Sequence, residues 1–222
     1  MRWLEWANAL TKSRKSQTRA RQYNGFIINC EPLRRLANLR CPQHPSGILT
    51  TPTYGEAGAV FTVCTETVIS SNVSSVYNAI IDFNRYSAWN SFVYRVDLPP
   101  TVQTPDQVYV GMPMTLHTTG LVPLLNTTSA EEITVLDLPT TEGYSMIAWK
   151  YIDGLDGLGS RAEHPNILVP RDDGATRYLS YETYYNGLEI GVMIALRASL
   201  QFQFEQQGQD LKDYVETRGN KS

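Results

Sequence analysis

His164 and Glu182 are the residues best suited by type to move a proton, and a turn between them sets their spacing. Arg171-Asp172-Asp173-Gly174 lies between two runs rich in β-branched and aromatic residues, 162–169 and 176–185. A three-residue hairpin loop with Gly174 in the left-handed conformation fixes the register of the strands it joins. His164 then stands opposite Glu182, Asn166 opposite Ser180, and Leu168 opposite Tyr178. Side chains of a strand alternate between faces, so Tyr178, Ser180, Glu182 and Tyr184 share one side. A carboxylate opposite an imidazole orients the ring and raises its pKa, equipping it as general base or acid. The same pair also suits a structural hydrogen bond or a solvated surface contact, and spacing alone leaves all three open.

Other chemistry-bearing residues are more scattered. Trp149, Tyr178 and Tyr184 offer flat apolar walls and phenol donors of the kind that line sites for aromatic ligands. His117 reads as a strand-edge residue, Arg161 as a solvated strand end, Arg95 and Asp97 as an exposed face, and Trp89 as packing a short helix onto the sheet. Cys41-Pro-Gln-His44, with Cys30 upstream, matches no zinc-ligand spacing, and the cysteines read as unrelated thiols. No nucleophile–base motif, phosphate loop or metal set is present in the sequence, so no cofactor is expected.

The elements that must position these residues follow from periodicity. A β-branched strand over 61–69 leads to Ser71 or Asn72 as helix cap, then a helix over 73–82 whose Val76, Tyr77, Ile80 and Ile81 form an apolar face. A second turn of helix ends at Trp89-Asn90. Strands are expected over 91–98, 108–118, 131–138, 144–152, 162–169 and 176–185, separated by turn clusters that include 120–128. Short connections between consecutive strands imply an antiparallel meander. From Leu188 to about Thr217 the apolar residues Met193, Leu196, Leu200, Phe204, Leu211 and Val215 trace one face of a long helix, with Gly208 marking a bend.

Charge divides the chain. Residues 1–41 hold nine Lys/Arg against Glu5 and Glu31, a net of +7, while the remainder is −10. Residues 1–57 read as a basic arm and proline-containing linker, and 58–222 as the folded domain. The arm resembles a mitochondrial presequence in composition, with a disordered tail or a misassigned start codon as the plainer alternatives. No apolar run is long enough for a spanning helix. The acidic body argues against a nucleic-acid partner. Three cysteines, an odd and small number, read as those of a reducing compartment, so the expected location is cytoplasmic, with mitochondrial as the alternative.

The stretch from Val68 to Val93, with Asp82-Phe-Asn-Arg-Tyr-Ser-Ala-Trp-Asn-Ser-Phe92 at its end, resembles the opening of the SRPBCC (START-like, polyketide cyclase/dehydrase-like) superfamily. Arg161–Arg177 and Glu182-Thr-Tyr-Tyr-Asn-Gly187 are similar to later landmarks in the same order. The resemblance implies an α+β helix-grip fold, a seven-stranded antiparallel sheet wrapped around the carboxy-terminal helix. It also implies that the aromatic at 184 packs beneath that helix, which turns Tyr178, Ser180, Glu182 and Tyr184 toward an internal cavity. Trp149, Asn166, Met193, Leu196 and Leu200 complete the expected ligand wall. The implied function is binding of a small hydrophobic molecule: a lipid, quinone, polyketide or aromatic metabolite. One alternative is a cofactor-free cyclase, dehydratase or isomerase in which His164 moves the proton and Glu182 orients it. Another is a chaperone-like partner of an unspecified protein that docks through the basic arm.

Overall fold

The computed structural model describes residues 36–139, 143–152 and 159–219. The basic arm up to residue 35, and with it the targeting and docking readings, lies outside the described residues. Seven antiparallel strands form one sheet: β1 (Ala59–Ile69), β2 (Val93–Asp97), β3 (Pro113–Val122), β4 (Leu125–Leu136), β5 (Ser145–Tyr151), β6 (Arg161–Pro170) and β7 (Thr176–Tyr185), in the order β1-β7-β6-β5-β4-β3-β2. Helix α1 (Val73–Ile81) follows β1, a 3-10 segment (Phe83–Ala88) leads toward β2, and helix α2 (Ile190–Gly219) closes the chain.

Local chemistry explains the elements that matter. The Asn72 side chain accepts from the Ser75 amide and caps α1, whose Val76 and Ile80 are fully buried. Gly174 adopts a φ of 79°, and its amide bonds the Arg171 carbonyl, so the β6–β7 turn has the expected conformation. The resulting ladder pairs Asn166 with Ser180 and Leu168 with Tyr178. The hairpin over 120–128 departs from the expected turn cluster. Strands β3 and β4 continue through it and turn at Pro123-Leu124, where Leu124 has a φ of 64°. Gly208 permits a close approach of α2 to β1: a Cβ there would lie 2.9 Å from the Thr65 hydroxyl.

The inner face of the sheet carries α1, the 3-10 segment and α2, with Ile69, Phe83, Tyr86, Met112, Ile133, Trp149 and Leu211 in one buried cluster. The outer face is covered too, by the part of the 1–57 arm and linker that follows residue 35, which packs on the sheet. Leu36, Leu39 and Leu49 pack on Met146, Ile167, Leu179 and Tyr181. The Arg177 guanidinium donates to the Ala37 and Leu39 carbonyls (2.7 and 3.0 Å), Tyr181 to the Thr50 carbonyl and Tyr185 to that of Gly55. Glu163, with no exposed surface, accepts from the Thr53 amide and hydroxyl (2.8 Å each) and from the Thr134 hydroxyl (2.7 Å). Cys41 and Cys64 form a disulfide that ties this strap to β1. The two cysteines are therefore paired, contrary to the reading as unrelated thiols.

Candidate functional site

Between α2 and the inner face lies a cavity of about 260 Å³. Met193, Leu196, Leu200 and Phe204 of α2 form one wall, Trp149, Ala162 and Tyr184 of the sheet another, and Leu116 and Leu121 of β3 a third. The helix spacing that brings these four α2 residues into line is the one legible in the sequence. Thr127 and Thr128 of the β3–β4 hairpin, Ser160 before β6, and Glu189 before α2 also line it. Leu124, Leu125 and Leu188, neighbours of those residues in the chain, are exposed.

Among the polar side chains that line this space are Glu131 from β4, His164 from β6, Glu182 from β7 and Gln207 from α2. His164 is sandwiched between the rings of Trp149 and Phe204 (centroids at 4.6 and 4.7 Å), and its Nε2 lies 2.7 Å from the Ser180 hydroxyl. Burial lowers the imidazole pKa to about 3, because a charged ring there would lose its hydration. This corrects the sequence reading, which had Glu182 raising it. Glu182 instead accepts from the Tyr184 hydroxyl at 2.6 Å. Burial raises the Glu182 carboxyl to about 7, a rise the Tyr184 bond partly opposes. Glu131, 5% exposed, is raised well above the carboxylate range by burial and then by the charge of Glu182, against a hydrogen bond from Ser129. Neither acid has a cation in the wall: among the described residues no lysine or arginine lines the cavity.

The sequence-derived residues divide into two groups. His164, Glu182, Trp149, Tyr184, Met193, Leu196 and Leu200 come together around the cavity. Asn166, Tyr178 and Ser180 share the face but do not line it. All three are buried, the Tyr178 hydroxyl donates to Asn166 Oδ1 at 2.7 Å, and Tyr178 packs into the cluster beneath α1. His117 sits apart on the β2–β3 surface, 2.7 Å from Asp97 Oδ2, with Arg95 alongside. Arg161 donates to the Asn186 carbonyl, and Trp89 packs against the inner-face cluster with its ring on Tyr86 and on Tyr214 of α2. Glu131 and Gln207 were not anticipated. A positional signal existed for both: Glu131 shares a strand face with Ile133, although Thr127 and Ser129 on that face obscure it, and Gln207 follows Leu200 and Phe204 at helical spacing.

No protein-family model matches the sequence, and no curated protein matches it. Solved structures do resemble it. A STAR-related lipid transfer protein from Xanthomonas axonopodis aligns over 70% of this chain and 85% of its own, at 15% identity and a TM-score of 0.52. The Zhui aromatase/cyclase from Streptomyces sp. R1128 aligns over 71% and 94% at 12% identity and 0.55. A START superfamily protein from Mycobacterium smegmatis aligns over 70% and 97% at 12% identity and 0.51. Likeness at this identity shows the fold: the chain has the START-like helix-grip fold. No described helix is long and apolar enough to cross a membrane.

Proposed function

We propose that the chain binds a small hydrophobic molecule in the space between α2 and the sheet. The observation that carries this reading is a cavity of about 260 Å³ walled by aliphatic and aromatic side chains, beside a half of the same face that is filled. Lipid-transfer and aromatase/cyclase proteins share the fold, which supports the same reading by analogy. Nile red, a neutral apolar dye, should bind and brighten in the native protein. Leu196→Trp places an indole in the cavity and should weaken that binding by at least about thirtyfold. Unchanged dye binding in the variant would refute the assignment.

A second reading, proton-transfer catalysis on the bound molecule, is favoured by one feature. Glu182 titrates near 7 inside an apolar cavity, with the Tyr184 hydroxyl on its oxygen. The proton would then move through Glu182, since His164 stays neutral at working pH. Glu182→Gln should abolish turnover and leave affinity for a neutral ligand nearly intact. Turnover that survives the change, with its pH profile preserved, excludes this role.

The Cys41–Cys64 bond supports an oxidising compartment over the cytoplasm expected from cysteine number. Protein taken from its own source into an alkylating agent should leave both residues unlabelled. Labelling at both would restore the cytoplasmic reading.

A further inference from the structure

We infer that the cavity's ligand carries a protonated amine on an apolar body, with the ammonium group held by Glu131 and Glu182. This rests on the cavity reading above and specifies the ligand's polar group. The argument begins from how this chain treats its other buried or half-buried acids. Glu163 receives three donors from Thr53 and Thr134, and Glu66 is met by Arg40 and Arg177 at 3.3 and 3.4 Å. Among the described residues Glu131 and Glu182 have no cation beside them, and they line one cavity from strands β4 and β7, with two strands between. An ionised carboxylate offers about four acceptor sites. Glu182 has the Tyr184 hydroxyl and Glu131 the Ser129 hydroxyl, so acceptor capacity on both acids remains for something inside the cavity. An ammonium supplies three donors and the missing positive charge together. Trp149, Tyr184 and Phe204 line the same cavity, and aromatic rings attract a nearby cation. A carboxylate or phosphate headgroup would instead meet two acids, with no cation in the wall among the described residues.

Binding is then linked to protons. The titratable groups facing the two acids are Tyr184 of β7, His164 of β6, Tyr151 of β5, Tyr86 of the 3-10 segment and Glu189 at the approach to α2. Tyr86 and Tyr184 stay protonated and His164 stays neutral near neutrality, all through burial, while Glu189 is engaged by the Ser160 hydroxyl at 2.7 Å. The proton displaced by an entering ammonium therefore comes from the Glu131–Glu182 pair.

Calorimetric titration of the full chain with octylamine, octanol and octanoate separates the possibilities, because the three share one apolar tail. Octylamine should bind about tenfold or more tighter than octanol, and octanoate weakest. With Glu182 titrating near 7, octylamine affinity should rise about tenfold between about pH 6 and pH 8, while octanol affinity does not. Glu182→Gln and the double variant Glu131→Gln/Glu182→Gln, both isosteric, should abolish the amine preference, octylamine and octanol then binding each variant within about twofold of one another. Octanol binding without amine preference, or a preference that survives the double variant, overturns this inference and leaves the cavity reading standing. Exclusion of all three probes and of Nile red overturns both.

Discussion

Glu163 and Glu182 sit on neighbouring strands, face opposite sides of one sheet, and meet opposite surroundings. On the outer face, Glu163 is closed over by the strap and saturated by Thr53 and Thr134. On the inner face, Glu182 has the Tyr184 hydroxyl, a second acid within electrostatic reach, and open space. The first arrangement fastens a segment to the body. The second holds two acids whose burial opposes ionisation, at a cost to stability once either releases its proton. That contrast distinguishes a structural carboxylate from one free to meet a ligand.

The difference can be broken from either side. Glu163→Ala strips three donors of their acceptor in a dry interior and should cost about 4 kcal/mol in urea denaturation at neutral pH. A loss below about 1 kcal/mol would mean that the strap is not held there. Cys41→Ser opens a loop of 23 residues and should cost about 3 kcal/mol by chain entropy, with Nile red affinity unchanged because the cavity lies on the other face. Loss of dye binding in this variant would show that the two faces are coupled.

Glu182 should behave in the reverse sense. Its carboxyl rises from 4.5 to about 7 on folding, so it holds its proton in the native state where the unfolded chain has released it. Stability is therefore greatest below about pH 4.5 and falls as pH rises toward 7, by up to about 3 kcal/mol from this group. Glu182→Gln should flatten that slope and stabilise the protein at about pH 8. A variant that is less stable at pH 8 would contradict the assigned environment. The smallest effect belongs to His164: its imidazole carbon resonances should not titrate between about pH 5 and pH 8, since its pKa is near 3. A midpoint near 6.5 would place the ring in water.

What the sequence made legible was local or periodic. The β6–β7 register followed from one glycine turn, and the α2 stripe from Met193 to Phe204 followed from helical spacing. Both are set by short-range geometry. The strap and the Cys41–Cys64 bond depend on contacts between distant segments, which periodicity does not encode. A signal for the strap existed in β6 and β7, whose Ile167, Val169, Leu179 and Tyr181 alternate with equally buried residues on the other side. Strands apolar on both faces need cover on both. The cavity wall was half legible for a related reason. Alternation assigns a face but not a depth, so Tyr178, Ser180 and Asn166 were placed with Glu182, although Tyr178 packs in the cluster with α1 and the other two are bonded to His164 and Tyr178. Glu131 reads as a solvent-facing acid because Thr127 and Ser129 precede it on the same face, and in fact they form cavity wall.

The account depends most on the inner face holding a ligand space and the outer face being closed by the chain's own strap. Carbon-13 labelling of the methionine methyls tests this directly, because Met193 lines the cavity and Met146 lies under the strap. On titration with octanol, the Met193 resonance should shift to saturation along the binding curve while that of Met146 stays in place. A shift at Met146 with Met193 unmoved would put the ligand on the other side of the sheet and contradict the account.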